Sequence, residues 1–327
     1  MSDGAGEGRL ATVFGGSGFI GRYIVRRLAR DGWQIRAACR RPDLAGHLQP
    51  AGAVGQILPV QANLRHADSV RRAVEGAVLV VTSVGILAPA GRQTFDAVHA
   101  EGARTVARAA REAGARQLVH ISAIGADLKS KARYAVSKAE GERAVLEEFP
   151  GAVILRPSIV FGPEDGFFNR FAGMMLVSPF LPLIGGGRTR FQPVYVGDVA
   201  AAVAAAAEGR ARPGTVYELG GPEVLTFREL LDRTQTYAGR HRLYLPMPFW
   251  LAKLQALLTW PLPNALRPVT VDQVRLLERD NVVSERAEAE GRTLAGLGIA
   301  HATGTGAVVP AYLERFKPKG QYTHYRG

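Results

Sequence analysis

Between about Leu10 and Arg156 the chain alternates short, continuous apolar runs with longer stretches in which apolar residues return every three to four positions. A run that is apolar on both faces suits a strand covered on both sides of a sheet, and the longer period suits a helix laid along it. The runs predict strands at Leu10–Phe14, Gln34–Cys39, Ile57–Val60, Leu79–Thr82, Gln117–Ile121 and Ala152–Leu155. The periodic stretches predict helices at Gly18–Arg30, Asp68–Val74, Phe95–Ala113 and Tyr134–Glu148. In the first of these Ile20, Ile24 and Leu28 recur every four residues, while Arg22, Arg26 and Arg30 read as a solvated stripe. Strand and helix in alternation predict an α/β fold, a doubly wound parallel sheet.

After Pro157 the texture changes. Gly and Pro become frequent at Gly162–Pro163 and Pro179–Gly187, yet helix and strand signals continue at Asp198–Ala207 and Thr215–Leu219. Thr226, with Glu229 three residues on, makes a capping box that starts a helix. Met247–Pro263 is apolar and aromatic, with Trp250, Leu251, Leu254, Leu257, Leu258 and Trp260, and reads as one short helix between proline stops. These changes predict a flexible start over 1–9, a larger domain over 10–163 and a smaller C-terminal α/β lobe over 164–316. Residues 192–219 return to the larger domain, and 317–327 form an extended basic tail carrying Lys317, Lys319, Tyr322, Tyr325 and Arg326.

Composition narrows the function classes. In 327 residues, 47% are hydrophobic and 21% charged, which supports a buried core and excludes wholesale disorder. Lys and Arg number 41 against 29 Asp and Glu, a net charge of +12. Such a balance fits an anionic partner (nucleic acid, acidic lipid, an acidic protein face, a phosphorylated ligand) or a general use of Arg, which is scattered along the chain. The single cysteine, Cys39, excludes a disulfide framework, a Cys-based zinc site and a Cys-ligated iron–sulfur cluster. His47, His66, His99, His120, His241, His301 and His324 show no metal-type spacing, so no metal is expected, and His120 in its apolar strand reads as a packed residue. No base-stacking or groove-reading motif accompanies the arginines, which places nucleic acid last among the partners. The start has no basic and apolar leader, and no apolar run is long enough to span a bilayer. The chain reads as cytosolic, with attachment to a membrane surface left open.

Gly15-Gly16-Ser17-Gly18-Phe19-Ile20-Gly21 leaves a predicted strand and opens a predicted helix. In that frame glycines let the backbone turn tightly and approach a pyrophosphate, whose charge meets the amides of the helix start. The larger domain is therefore expected to bind a dinucleotide. The second strand ends in Cys39-Arg40-Arg41-Pro42, where a site for NAD places an acid against the ribose hydroxyls; two guanidinium groups suit a 2′-phosphate, so NADPH (NADP) is the expected cofactor. Later strand ends should complete the cleft: Asn63 and Leu64 beside the adenine, Ser83, Val84 and Gly85 beside the ribose and pyrophosphate.

Ser122 ends the fifth predicted strand and Tyr134 and Lys138 open the next helix, four residues apart on one face. In this order after a glycine loop the three suit hydride-transfer chemistry. Ser122 would orient a carbonyl or alcohol and Tyr134 pass the proton, while Lys138 lowers the phenol's pKa and contacts the nicotinamide ribose. Leu155-Arg156-Pro157-Ser158-Ile159-Val160-Phe161-Gly162-Pro163 and Gln192-Pro193-Val194-Tyr195-Val196-Gly197-Asp198-Val199-Ala200 complete a pattern over roughly residues 10–240 that resembles an extended or atypical short-chain dehydrogenase/reductase. The resemblance implies a Rossmann fold, brings Pro157 and Ser158 toward the nicotinamide, and gives Asp198 a capping or orienting role.

Within that superfamily Val84-Gly85-Ile86-Leu87, His120-Ile121-Ser122-Ala123-Ile124-Gly125-Ala126-Asp127, Pro163-Glu164-Asp165-Gly166-Phe167-Phe168-Asn169 and Tyr312-Leu313-Glu314-Arg315-Phe316 look like one branch. They resemble the nucleotide-binding accessory subunit of respiratory complex I, the alpha-subcomplex subunit nine family, in an alphaproteobacterial form. That resemblance implies a tightly held NADP far from the electron path and a role in assembly near the junction with the membrane arm. It also implies other complex I subunits as partners and a peripheral place on the cytoplasmic side of the bacterial inner membrane. Ser122, Tyr134 and Lys138 then only hold the nucleotide. The competing class is a free NADPH-dependent reductase, dehydratase or sugar-nucleotide epimerase that uses them catalytically. Met247–Pro263 and the basic tail suit a docking surface; the stretch would lie at an anionic membrane interface with Lys253 reaching lipid phosphate, or be buried in the lobe or against another subunit.

Overall fold

The computed structural model describes residues 9–259 and 269–318. Its first elements follow the apolar pattern: β1 (Leu10–Phe14), α1 (Phe19–Arg30), β2 (Gln34–Cys39), β3 (Ile57–Gln61), α2 (Ala67–Val74), β4 (Leu79–Thr82), α3 (Glu101–Glu112), β5 (Gln117–Ile121), α4 (Arg133–Glu148) and β6 (Val153–Pro157). Next come β7 (Val160–Phe161), α5 (Phe168–Val177), β8 (Phe180–Ile184), β9 (Arg190–Phe191), β10 (Val194–Tyr195), α6 (Val196–Ala207) and β11 (Val216–Leu219). The chain ends with β12 (Leu225–Thr226), α7 (Phe227–Ala238), β13 (Leu243–Met247), α8 (Phe249–Leu258), α9 (Val271–Leu276), α10 (Glu285–Ala289) and α11 (Thr305–Leu313).

Seven strands form one sheet in the order β11-β6-β5-β4-β1-β2-β3, every pair parallel. Such strands have helices on both faces, which is why β4 is buried at all four positions and reads as an unbroken apolar run. Thr12, the polar residue inside β1, gives its hydroxyl proton to the Ala73 carbonyl at 2.7 Å and so ties the sheet to α2. The order reverses between β1 and β4, the place where a doubly wound sheet opens a crevice at its carboxyl edge.

The helix expected over Phe95–Ala113 is interrupted. Asp96–Ala100 forms a π-helical turn and the α-helix starts only at Glu101. At that turn α4 comes so close that a Cβ on Gly141 would fall 2.1 Å from the His99 carbonyl oxygen. A wider turn at such a contact often marks a functional position.

Compact packing divides the chain at Pro157. The sheet unit ends there and takes back Gly197–Leu219 and Glu285–Ala300; the second unit holds Ser158–Val196, Gly220–Ser284 and the chain from His301. Thus Ser158–Pro163 goes with the second unit, and a second returning segment, with α10, joins the first; its Arg292 gives a guanidinium proton to the Val216 carbonyl at 2.7 Å. The second unit is three strand pairs, β7 with β10, β8 with β13 and β9 with β12, around a core that includes Phe161, Phe168, Leu181, Phe227, Leu230 and Leu313. The capping box at Thr226 and Glu229 is present and starts α7.

Helix α8 is inverted relative to an ordinary surface helix. It buries the small residues Ala252 and Ala256 and exposes Trp250 (67%), Leu257 (64%) and Leu258 (72%), together with Leu251 and Leu254. Lys253 does not extend to solvent as a free cation; it pairs with Glu278 at 2.5 Å. Trp260 and Pro263, and Lys319, Tyr322, His324, Tyr325 and Arg326 of the basic tail, lie outside the described residues. Among the described residues no helix is long and apolar enough to cross a membrane, and no group of three His, Cys, Asp or Glu is arranged to hold a metal ion.

In the second unit α11 is fastened to the start of α5 through a buried carboxylate. Asp165 accepts from the Phe167 amide at 2.9 Å, the Asn169 amide at 3.2 Å and the Tyr312 hydroxyl. Burial pushes its pKa up and these donors oppose the rise. Removing one donor from a buried carboxylate costs roughly 1–3 kcal/mol. Tyr312→Phe is therefore expected to lower stability by about that amount in urea unfolding; an unchanged midpoint would show that the hydroxyl does not support Asp165.

Candidate functional site

Gly15 has a left-handed φ of 77° and donates its amide to the Ala38 carbonyl at 2.9 Å, which turns the chain as it leaves β1. A Cβ on Gly16 would lie 3.1 Å from the Ala37 side chain, and one on Gly21 would lie 2.0 Å from the Gly15 carbonyl oxygen. The glycines thus bring the first turn of α1 against the end of β1. Gly18 is the residue that starts α1, and no side chain caps it, so the first-turn amides of Phe19, Ile20 and Gly21 are presented for an external acceptor. Arg22 was expected in the solvated stripe. Its guanidinium instead folds back on the loop and donates to the carbonyls of Ser17 and Gly18 at 3.2 and 3.3 Å.

At the end of β2 the two arginines differ. Arg41 is paired with Asp43 at 2.8 Å, the residue directly after the Cys39–Pro42 segment that carries no acid; Arg40 is exposed and has no partner among the described residues. The Cys39 thiol is buried beside Ser17, and burial pushes its pKa up.

The remaining strand ends separate into structural and open positions. Asn63 accepts from the Arg65 amide at 3.2 Å and exchanges bonds with the Ser69 hydroxyl, while Leu64 packs into the core beside Gly102. Ser83 gives its hydroxyl proton to the Phe14 carbonyl at 2.9 Å, and a Cβ on Gly15 would meet Ser83 and Val84 at 3.1 Å each. Gly85 is exposed, and a Cβ there would come 3.5 Å from the Lys138 ammonium.

Ser122, Tyr134 and Lys138 are all in the sheet unit, Ser122 just past β5 and the other two in the first turns of α4. Lys138 is buried and donates to the Ile121 carbonyl at 3.1 Å. Burial drives its pKa down to about 8 against the attraction of Glu142, a carboxylate already bound by Arg156 at 2.6 and 2.8 Å. The Tyr134 phenol goes the other way from the sequence expectation: burial pushes it up to about 12, because desolvation disfavours the phenolate. His120 is held down to about 3 and His99 to about 2 by burial and by the Lys138 charge, so both rings are neutral.

The Ser122 hydroxyl and both ring nitrogens of His120 are buried with no hydrogen-bond partner among the described residues. His120 lies in β5 and Ser122 just past its end, two positions on, and the Lys138 charge reaches the His120 ring. A cradle that side chains would fill and a buried hydroxyl without a partner fit a nicotinamide dinucleotide. Pro157 accepts from the Ile124 amide at 3.0 Å. The Ser158 hydroxyl is engaged inside the second unit, at 2.9 Å from the Asn281 carbonyl oxygen and 2.7 Å from its side-chain oxygen. Asp198 stands in the first turn of α6, where a carboxylate complements the helix dipole.

Four residues that matter here were missed in the sequence: Arg22, Asp43, His99 and Ser137. His99 carried a signal, a polar residue on the apolar face that Phe95, Val98 and Gly102 define, and Ser137 sits between Tyr134 and Lys138.

A sequence model described as the NAD dependent epimerase/dehydratase family matches residues 11–220. The mitochondrial NADH dehydrogenase (ubiquinone) 1 alpha subcomplex subunit 9 of Arabidopsis thaliana is 36% identical over 292 residues, 86% of this chain and 72% of that protein. The NADPH-dependent quinone oxidoreductase of Escherichia coli, solved with NADPH, shares the fold at a TM-score of 0.71 and 21% identity over 93% of this chain and 99% of that one. The UDP-glucose 4-epimerase of Thermus thermophilus, solved with NAD, does so at 0.67 and 24% identity over 94% and 98%. Crevice, glycine cradle and relatives agree that the chain belongs to the NAD dependent epimerase/dehydratase family and, within it, to the family of the alpha subcomplex subunit 9 of NADH dehydrogenase.

Proposed function

We propose that this protein is an accessory subunit of a respiratory NADH:quinone oxidoreductase that holds NADP(H) as a structural or regulatory group. The observation that carries the reading is the likeness to such a subunit over 86% of the chain. The site's electrostatics agree with it. Tyr134 is pushed up to about 12 and so stands as a protonated phenol, and Lys138 donates to a backbone carbonyl. A protonated phenol and a lysine on the same helix turn can hold ribose hydroxyls without moving a proton. The pyrophosphate would meet the amides of Phe19, Ile20 and Gly21, with the adenosine 2′-phosphate at Arg40. A bound nicotinamide supplies a hydride; these residues supply its place.

Its partners are other subunits of the complex, and the protein supports assembly near the membrane-arm junction, peripheral on the cytoplasmic side of the bacterial inner membrane. The exposed Trp250, Leu254, Leu257 and Leu258 supply the docking surface; contiguous apolar area of this kind marks a protein or membrane contact. One observation favours the second reading, a free NADPH-dependent reductase, dehydratase or epimerase: Ser122 keeps a buried hydroxyl free to orient a substrate oxygen.

Purification from native membranes should find the chain co-migrating with other subunits, with its nucleotide unreacted; a free monomer that oxidises NADPH against a carbonyl substrate would establish the second reading. In equilibrium titration NADPH should bind more tightly than NADH, and Arg40→Ala should cost NADPH on the order of tenfold while sparing NADH, since one charge-assisted contact is lost. Tighter NADH binding refutes the assignment of NADP. Lys138 gives a pH signature. Its folded pKa, about 8, lies below the ordinary 10.5, so between those values the unfolded chain binds the extra proton and stability rises with pH. Relative to Lys138→Met, the wild-type protein should gain on the order of 3 kcal/mol from pH 7 to 10.5 in denaturant unfolding. Parallel curves for the two proteins would show that the ammonium is not buried.

A further inference from the structure

One buried side chain outside the expected nucleotide contacts touches both the loop after β4 and the start of α4. His99 is 2% exposed in the π-helical turn before α3. Its Nε2 accepts from the Ile86 amide at 3.0 Å, which assigns the ring proton to Nδ1. Nδ1 then donates to the Ser137 hydroxyl at 2.9 Å, and that hydroxyl donates to the Tyr134 carbonyl at 2.8 Å. The ring stacks on Phe95 at 5.5 Å and meets Tyr134 edge-on at 5.4 Å. A Cβ on Gly85 would lie 3.7 Å from Nε2, and its backbone is held beside the Lys138 ammonium.

We infer that His99 is a positioning residue of the nucleotide site: its imidazole ties the loop at Gly85–Ile86 to the helix turn carrying Tyr134 and Lys138, and so sets the spacing open to the nicotinamide ribose. The inference rests on the nucleotide-holding reading above. Each atom of the link has one role, acceptor at Nε2 and donor at Nδ1, and the neutral ring keeps both roles because burial and the Lys138 charge oppose a second proton. Gly141 completes the arrangement, since only a glycine lets α4 lie against the His99 carbonyl. No part of the link reaches the glycine loop or Arg40, so its effect belongs to one half of the ligand.

The test is equilibrium titration of the full chain with NADPH and with adenosine 2′,5′-bisphosphate, which carries the adenosine half alone. His99→Leu removes both hydrogen bonds and should weaken NADPH on the order of tenfold. The bisphosphate should stay within about twofold, as for a distant independent site. His99→Gln, whose amide reaches Ile86, should recover most of the NADPH affinity, and Ser137→Ala should show the same split at smaller size. Should His99→Leu fail to fold, the other two variants carry the comparison. Equal losses for both ligands, or none for either, overturn the inference. Wild-type protein that binds neither ligand overturns the nucleotide reading itself, whereas wild-type binding without the split overturns the role of His99 alone.

Discussion

The start of α1 lies against the strand that feeds it, and that single contact organises the crevice. The Gly21 backbone sits where any Cβ would fall 2.0 Å from the Gly15 carbonyl oxygen, far inside van der Waals contact. Because α1 begins there, Ile24, Val25 and Leu28 reach the core and the uncapped first turn of α1 starts just beyond the carboxyl end of β1. Ser83 and Val84 then close on Gly15 from the neighbouring strand. A parallel sheet offers such an opening only where its order reverses, so the tight turn and the topology specify the same place.

Beneath the opening the protein buries more polar groups than its fold needs. Lys138, Glu142 and Arg156 form a chain of charge in which each member has a partner, and His99 is neutral with both ring nitrogens engaged. Ser122 and His120 are the exception, with unpaired atoms at a cost of roughly 1–3 kcal/mol each if nothing binds them. Buried polar groups left open beside a fixed cation belong to ligand sites far more often than to cores, which use such positions for Val or Ile. The elevated pKa of Tyr134 and the lowered one of Lys138 come from the same desolvation.

Much of this was legible in sequence because the signals are local. Continuous apolar runs marked the six strands up to β6 to within a residue or two, since parallel strands bury both faces, and the Thr226 capping box needs only residues three apart. What escaped depends on residues far apart in the chain. The π-helical turn exists where α4 presses on His99, a contact 42 positions distant (141 − 99) that periodicity cannot register. The return of Glu285–Ala300 to the sheet unit is held by bonds between distant residues, among them Arg292 to Val216, Arg212 to Glu290 and Arg210 to Leu297. In α8 the large apolar side chains are exposed rather than buried in the lobe, and the sequence could not say so because it does not reveal that the two alanines face the core. Ser158 looked available by its place after a strand, yet Asn281, far along the chain, takes its hydroxyl. Arg41 looked free until Asp43 turned toward it.

The net charge of +12 acquires a structural explanation from the same bonds. A guanidinium paired with a carboxylate leaves the balance unchanged, but one that donates to carbonyl oxygens adds a full charge with no anion required. The protein uses several arginines in this second way. Arg242 donates to the Met175 carbonyl at 2.7 and 3.0 Å, Arg240 to that of Phe316 at 2.6 Å, Arg212 to that of Glu290 at 2.9 Å and Arg22 to those of the glycine loop. Elsewhere several arginines share one acid, as Arg104, Arg108 and Arg111 share Glu148, which again leaves positive charge over. These residues tie loops and helices together through a planar, multiply donating group that lysine cannot replace, which accounts for the rarity of lysine in the chain. Of Arg40, Arg41 and Lys138, only Arg40 is left without a partner among the described residues, and it stands directly after the carboxyl end of β2.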